Sequence, residues 1–92
     1  MKYYVYIIHS QKFDKYYKGY TSNPFLRLKE HNNGFSRYTA NFTPWKLVFL
    51  QSFPTKKEAL IRERKLKKYS KEKLKNLILS PLNEINDYNA KT

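Results

Sequence analysis

The sequence predicts an α+β fold: a three-stranded, mainly antiparallel sheet flanked by helices, in the order strand, strand, helix, strand, helix, helix. Three observations predict it. Two aromatic and β-branched runs, Tyr3–His9 and Lys15–Thr21, are separated only by the polar segment Ser10–Asp14, the pattern of a hairpin. A third apolar run, Trp45–Phe53, is closed by Pro54. Beyond it the apolar residues recur at three- and four-residue spacing, the period of helices packed against a sheet.

Each element follows from its own residues. Tyr3–His9 shows no polar alternation, so it reads as a strand buried on both faces, with Tyr4, Tyr6 and Ile8 on one and Tyr3, Val5 and Ile7 on the other. In the second strand Tyr17, Gly19 and Thr21 share a face. Glycine weakens a strand, and close approach of a ligand or another backbone is a physical reason to have it there. Ser22 or Asn23 caps a helix with Pro24 in its first turn, where the missing N–H does no harm. That helix ends at Asn32-Asn33-Gly34. Arg27 and His31, four apart, project from one face of it.

The segment GFSRYTANFTP, ending at Pro44, has no periodicity and reads as a loop. Arg37 and Tyr38 are candidates there to meet a phosphate and a base; burial of Tyr38 and Phe42 under the domain is the equal alternative. Thr55-Lys56-Lys57-Glu58 is a capping box. It opens a helix to about Tyr69, with Ala59, Leu60, Leu66 and Tyr69 facing inward and Glu63 at or beside that face. Lys67, one turn on, is the ordinary partner for such a glutamate; a divalent cation is the other partner that an inward-leaning acid accepts. Ser70 caps a last helix, Lys71–Leu79, packed through Leu74, Leu77 and Ile78. Residues 81–92 are polar and read as a frayed C-terminal tail, leaving residues 1–80 as the single domain. His9 follows the first strand and reads as a loop residue without an evident partner.

Composition narrows the function. The 92 residues suffice for one core. With no cysteine, disulfides and thiolate metal sites are excluded, and a reducing cytoplasm is the expected setting. The first strand is too short to span a membrane or to act as a signal peptide. Fifteen lysines and four arginines against seven acids give a formal charge of +12, a field that attracts polyanions, nucleic acid foremost. A solubilising lysine coat is the plainer reading. No helix pairs a basic face with a bulky apolar one, so a membrane surface is disfavoured.

Tyr4-Val5-Tyr6 and Tyr17-Lys18-Gly19 are similar to the two halves of the signature that names the GIY-YIG nucleases. The resemblance runs on through Gly19-Tyr20-Thr21, Arg27-Leu28, His31-Asn32, Pro44-Trp45, Leu47-Val48, Glu58-Ala59 and Glu63, spanning residues 3–79. It implies the GIY-YIG endonuclease fold and a metal-dependent DNA endonuclease, structure-directed and linked to DNA repair or recombination. It further implies a single Mg²⁺ or Mn²⁺ on Glu63, Arg27 on the scissile phosphate, and Tyr17 as general base or water-orienting group positioned by Tyr6. His31 would share proton transfer or donate to the phosphate. A phenol, with its ordinary pKa of about 10, serves as a base only where cations favour the phenolate. Lys18, Tyr20, Arg37, Tyr38, Lys67 and Lys68 are the candidate nucleic-acid contacts. Tyr20 and Lys75 stand where UvrC-type members carry a lysine and an asparagine; the small stand-alone bacterial members are more similar.

Taken residue by residue, the same positions have plainer readings. Tyr6 and Tyr17 suit core aromatics, Arg27 a surface arginine, and His31 a cation favoured by the helix dipole. The alternative functions are a nucleic-acid-binding module without chemistry and a small basic RNA- or ribosome-associated protein. The chain length leaves no room for a second, target-choosing domain, so targeting is expected to come from DNA shape or a partner protein.

Overall fold

The structure, a computed structural model, describes residues 1–90. Strand β1 (Tyr3–Ser10) occupies the centre of a three-stranded antiparallel sheet, with β2 (Lys15–Thr21) on one side and β3 (Lys46–Phe53) on the other. The central position explains its unbroken apolar run: Val5, Tyr6, Ile7 and Ile8 are all buried because both faces of β1 are covered. A bulge between Ile7 and Ile8 adjusts the pairing with β3.

Helices α1 (Pro24–Asn32) and α4 (Ile85–Ala90) lie on the Tyr6–Ile8 face. There Leu28, Ile85 and Tyr88 pack against a cluster that includes Trp45, Leu47 and Leu50. Helices α2 (Lys56–Leu66) and α3 (Lys71–Ile78) cover the other face, where Ala59, Leu66, Leu74 and Leu77 bury Val5, Ile7 and Phe49. Three side-chain caps fix where these helices start. Asn23 accepts from the Leu26 N–H at 3.2 Å, Thr55 from Glu58 at 3.2 Å and Ser70 from Lys73 at 3.1 Å. Helix α2 stops at Leu66 rather than Tyr69, since Lys68 and Tyr69 bond the carbonyls three residues back and tighten the chain into a turn. The loop after α1 contains one 3₁₀ turn, Thr39–Phe42.

Two expectations need correction. The segment after Pro81 is not frayed. Glu84 donates its backbone N–H to Leu50 at 2.8 Å, and its carboxylate accepts from the Ser52 N–H and hydroxyl, both at 2.8 Å. Asn83 accepts from Leu50 N–H and donates to the Val48 and Ile78 carbonyls. These side chains satisfy the open edge of β3, which polar composition alone does not reveal. Lys91 and Thr92 lie outside the described residues. His9 is not a loop residue either: it belongs to β1, stacks on Tyr16 at 4.4 Å and meets Asp14 at 3.1 Å. Asp14 in turn pairs with Lys71 at 2.9 Å, clipping the hairpin to α3. Among the described residues no helix is long and apolar enough to cross a membrane.

Candidate active site

The pairing of β1 with β2 sets Tyr6 opposite Gly19. A Cβ on Gly19 would stand 2.5 Å from the Tyr6 hydroxyl and 2.6 Å from the ring carbon bearing it. The close approach expected of Gly19 is therefore made by the chain's own phenol, which lies across the glycine towards the β2 edge of the sheet. Its oxygen reaches His31 Nε2 at 2.7 Å, and His31 Nδ1 reaches the Thr39 hydroxyl at 2.7 Å.

The direction of this chain follows from its far end. Thr39 has the Ser36 carbonyl at 3.3 Å, to which only its hydroxyl proton can be donated. The Thr39 oxygen then accepts from His31 Nδ1–H, and Nε2 accepts from the Tyr6 hydroxyl. Trp45 holds the Thr39 carbonyl through its indole N–H at 2.8 Å, and Asn32 grips the Trp45 backbone from both sides. Burial pushes the Tyr6 hydroxyl up to about 12 despite the hydrogen bond and charge of Arg27, so it keeps its proton. His31 is fully buried, and burial, with the charge of Arg27, pulls it down to about 4. It is thus a neutral imidazole at physiological pH. The reading of His31 as a cation favoured by the helix dipole does not hold, because desolvation outweighs the dipole.

Arg27 joins the same cluster. Its guanidinium donates to Glu30 at 2.9 Å and to Ser36 at 2.8 Å. Burial works against its charge, but the bonds to Glu30 and Tyr6 more than offset this and raise its pKa. Tyr17 packs its ring against His31 at 5.1 Å and Tyr6 at 6.5 Å, and stays partly accessible. Glu63 comes from α2, on the other face of the sheet, yet its charge is felt at Tyr6. Its side chain is only 12% exposed and meets Lys67 at 3.6 Å. Tyr6, Tyr17, Arg27 and His31 are therefore one contiguous cluster, with Glu63 within electrostatic reach.

The basic candidates are more dispersed. The ammonium groups of Lys18 and Lys67 are close enough for the charge of Lys67 to act on Lys18. Tyr38 stacks on Tyr17 at 6.2 Å and is half exposed, so it belongs with the cluster and not in the core. Arg37 and Lys68 are exposed. Tyr20 sits apart, packed against the core of the opposite face with Lys56 over its ring. Sequence reasoning missed Glu30, Ser36 and Thr39 as members of the site. Glu30 carried a signal, a carboxylate three residues after Arg27; Ser36 and Thr39 carried none, being ordinary loop hydroxyls.

No cluster of three or more metal-ligating side chains occurs among the described residues. The donor chemistry nonetheless fits a hard divalent cation. Magnesium usually takes one or two protein carboxylates and completes its shell with water and substrate phosphate, and Glu63, paired with the flexible Lys67, offers one carboxylate of that kind.

Known proteins are similar to this chain over most of its length. The family model of the GIY-YIG catalytic domain matches residues 2–76. The chain belongs to the GIY-YIG family. This GIY-YIG domain is 40% identical over 75 residues to a UPF0213 protein of Haloquadratum walsbyi, covering 80% of this chain and 83% of that one. It is 41% identical over 78 residues to a UPF0213 protein of Clostridium perfringens, covering 84% and 83%. The solution NMR structure of a UPF0213 protein of Bacillus halodurans superposes with a TM-score of 0.56 at 34% identity, covering 89% of this chain and 87% of that one. The shared family is that of a nuclease domain.

Proposed function

We propose that this GIY-YIG domain is a divalent-metal-dependent DNA endonuclease, structure-directed and acting in DNA repair or recombination in the cytoplasm. The observation that carries the proposal is the convergence of His31 and Arg27 on the Tyr6 hydroxyl, which itself lies against Gly19, with Tyr17 at the accessible rim and a largely buried carboxylate, Glu63, within electrostatic range.

In this reading Glu63 holds Mg²⁺ or Mn²⁺, exchanging Lys67 for the ion. Such a cation, when bound, would supply positive charge and a more acidic water. Arg27 neutralises charge that develops on the phosphoryl oxygens, and its bonds to Glu30 and Ser36 hold the guanidinium in place beforehand. Tyr17 orients the attacking water and accepts its proton. Tyr6, which retains its own proton, aligns Tyr17 and receives its orientation from His31. Because His31 has no exposed surface, it acts through Tyr6 as a positioning residue and does not touch the phosphate. Lys18, Tyr20, Arg37, Tyr38, Lys67 and Lys68 contact the nucleic acid, and targeting comes from DNA shape or a partner protein.

The test is cleavage of labelled linear, nicked, flap and branched DNA in Mg²⁺, Mn²⁺ or EDTA. Wild type should cut only with metal. Glu63→Ala should abolish cutting while retaining binding, and Arg27→Ala should slow it by about 10²–10³-fold. Binding without cutting on every substrate and with both metals would favour the binding-module reading, which the Lys67–Glu63 pair suits.

A further inference from the structure

A groove of about 230 Å³ lies between the β2 edge and α3, outside the Tyr6–His31 cluster. Three tyrosines, Tyr16, Tyr38 and Tyr69, and three lysines, Lys15, Lys18 and Lys71, line it. Its one acid, Asp14, is already engaged by His9 and Lys71. We propose that this groove binds the unpaired strand of a branched DNA, stacking a base on Tyr38 and holding its phosphates on the lysines, so that the substrate class is DNA with a single-stranded arm.

Three features point this way. The groove is small beside a double helix, and duplex bases present no free ring faces; Tyr38, half exposed in a basic cleft, suits an unpaired base, for which stacking is indifferent to sequence, while the rings of Tyr16 and Tyr69 are already covered by His9 and by Lys73 and Arg62. Lys18 is half-buried and has no acidic partner among the described residues, while Lys67 is near enough to repel it. A desolvated, unpaired ammonium is unfavourable, and a phosphate would remove that cost. Finally, the groove adjoins the candidate site. Tyr38 stacks on Tyr17 at 6.2 Å, and Lys67, beside Lys18, is the lysine that meets Glu63. A strand lying in the groove therefore leads to the rim where Tyr17 stands.

The inference rests on the nuclease reading for its substrate but is tested without catalysis. Fluorescence anisotropy in EDTA, at one fixed salt concentration, would compare labelled oligothymidylate, oligouridylate, a blunt duplex and the same duplex with a thymidine flap. Wild type should prefer the flap to the blunt duplex, and the double variant Lys18→Gln/Lys71→Gln should weaken flap binding about tenfold. Lys71 also clips the hairpin, so Tyr38→Ala at a half-exposed position is the second variant, with the same loss expected. Thymidylate titration followed by NMR should shift the amides of Tyr16, Lys18 and Lys71 most. Equal affinity for flap and blunt duplex, shifts centred elsewhere, or tighter binding of oligouridylate would overturn the proposal. Cleavage of blunt duplex with no flap preference would sink the groove and leave the nuclease standing; flap binding in the groove with no cleavage would do the reverse.

Discussion

Gly19 and His31 are the residues whose chemistry is most tightly determined. A methyl group at Gly19 would collide with the Tyr6 hydroxyl at 2.5 Å, in a cluster where that hydroxyl is already bonded to a buried imidazole. Gly19→Ala should therefore cost about 1–3 kcal/mol by forcing the ring aside, measurable as a lower urea midpoint, and should remove any cleavage activity. An unchanged midpoint would show that the ring moves freely. For His31 the folded pKa of about 4 lies below the ordinary 6.5. The unfolded chain therefore binds the extra proton between these values, and stability rises with pH across that window. The linked penalty is absent well above pH 6.5 and grows to on the order of 2–3 kcal/mol as pH falls to 4. Asp14, held down to about 2 first by its hydrogen bond from Lys71, acts only below its ordinary 3.8. Urea unfolding at pH 7.5 and 4.5 should show the decline in wild type and a flatter profile in His31→Gln. At this scale the need for a small residue at 19 was legible, because a glycine in a strand is a local anomaly. The His31–Thr39 bond was not, since it joins a helix to an irregular loop, and burial reversed the charge that the helix end alone would favour.

Elements were legible where their determinants are local. Asn23, Thr55 and Ser70 cap the helices they precede, and the two-faced burial of β1 follows from its unbroken apolar run. The end of α2 was overextended by three residues because Tyr69 has the right spacing to continue it but turns back with the chain. The segment from Asn83 was misread because its role is non-local: Asn83 and Glu84 supply side-chain partners to β3, more than thirty residues earlier in the chain. An open strand edge is a liability, and here side chains cover it. Asn83→Ala would strip partners from the Leu50 N–H and the Val48 and Ile78 carbonyls. It should destabilise the protein by about 1–3 kcal/mol and speed hydrogen exchange at Leu50 and Ser52. Unaltered exchange at those amides would show that the segment does not protect the edge.

Across the whole molecule, the three-stranded sheet with helices on both faces was legible from the alternation of strand-like and helical runs, and the family from residues scattered over most of its length. What the sheet achieves is to bring groups from opposite faces together. Tyr6, Arg27 and His31 belong to the α1 face and Glu63 to the α2 face, and the narrow edge at Gly19 leaves the carboxylate's charge within reach of the phenol. The +12 charge favours a polyanion at any face; in the proposed function it is this junction at which the phosphate would react. A Mn²⁺ titration followed by amide NMR line broadening tests the junction directly. Broadening should centre on Glu63, Tyr6 and Tyr17 and disappear in Glu63→Gln. Broadening that persists in that variant, or that centres on a distant acid such as Glu72 or Asp87, would contradict a metal site at this edge of the sheet.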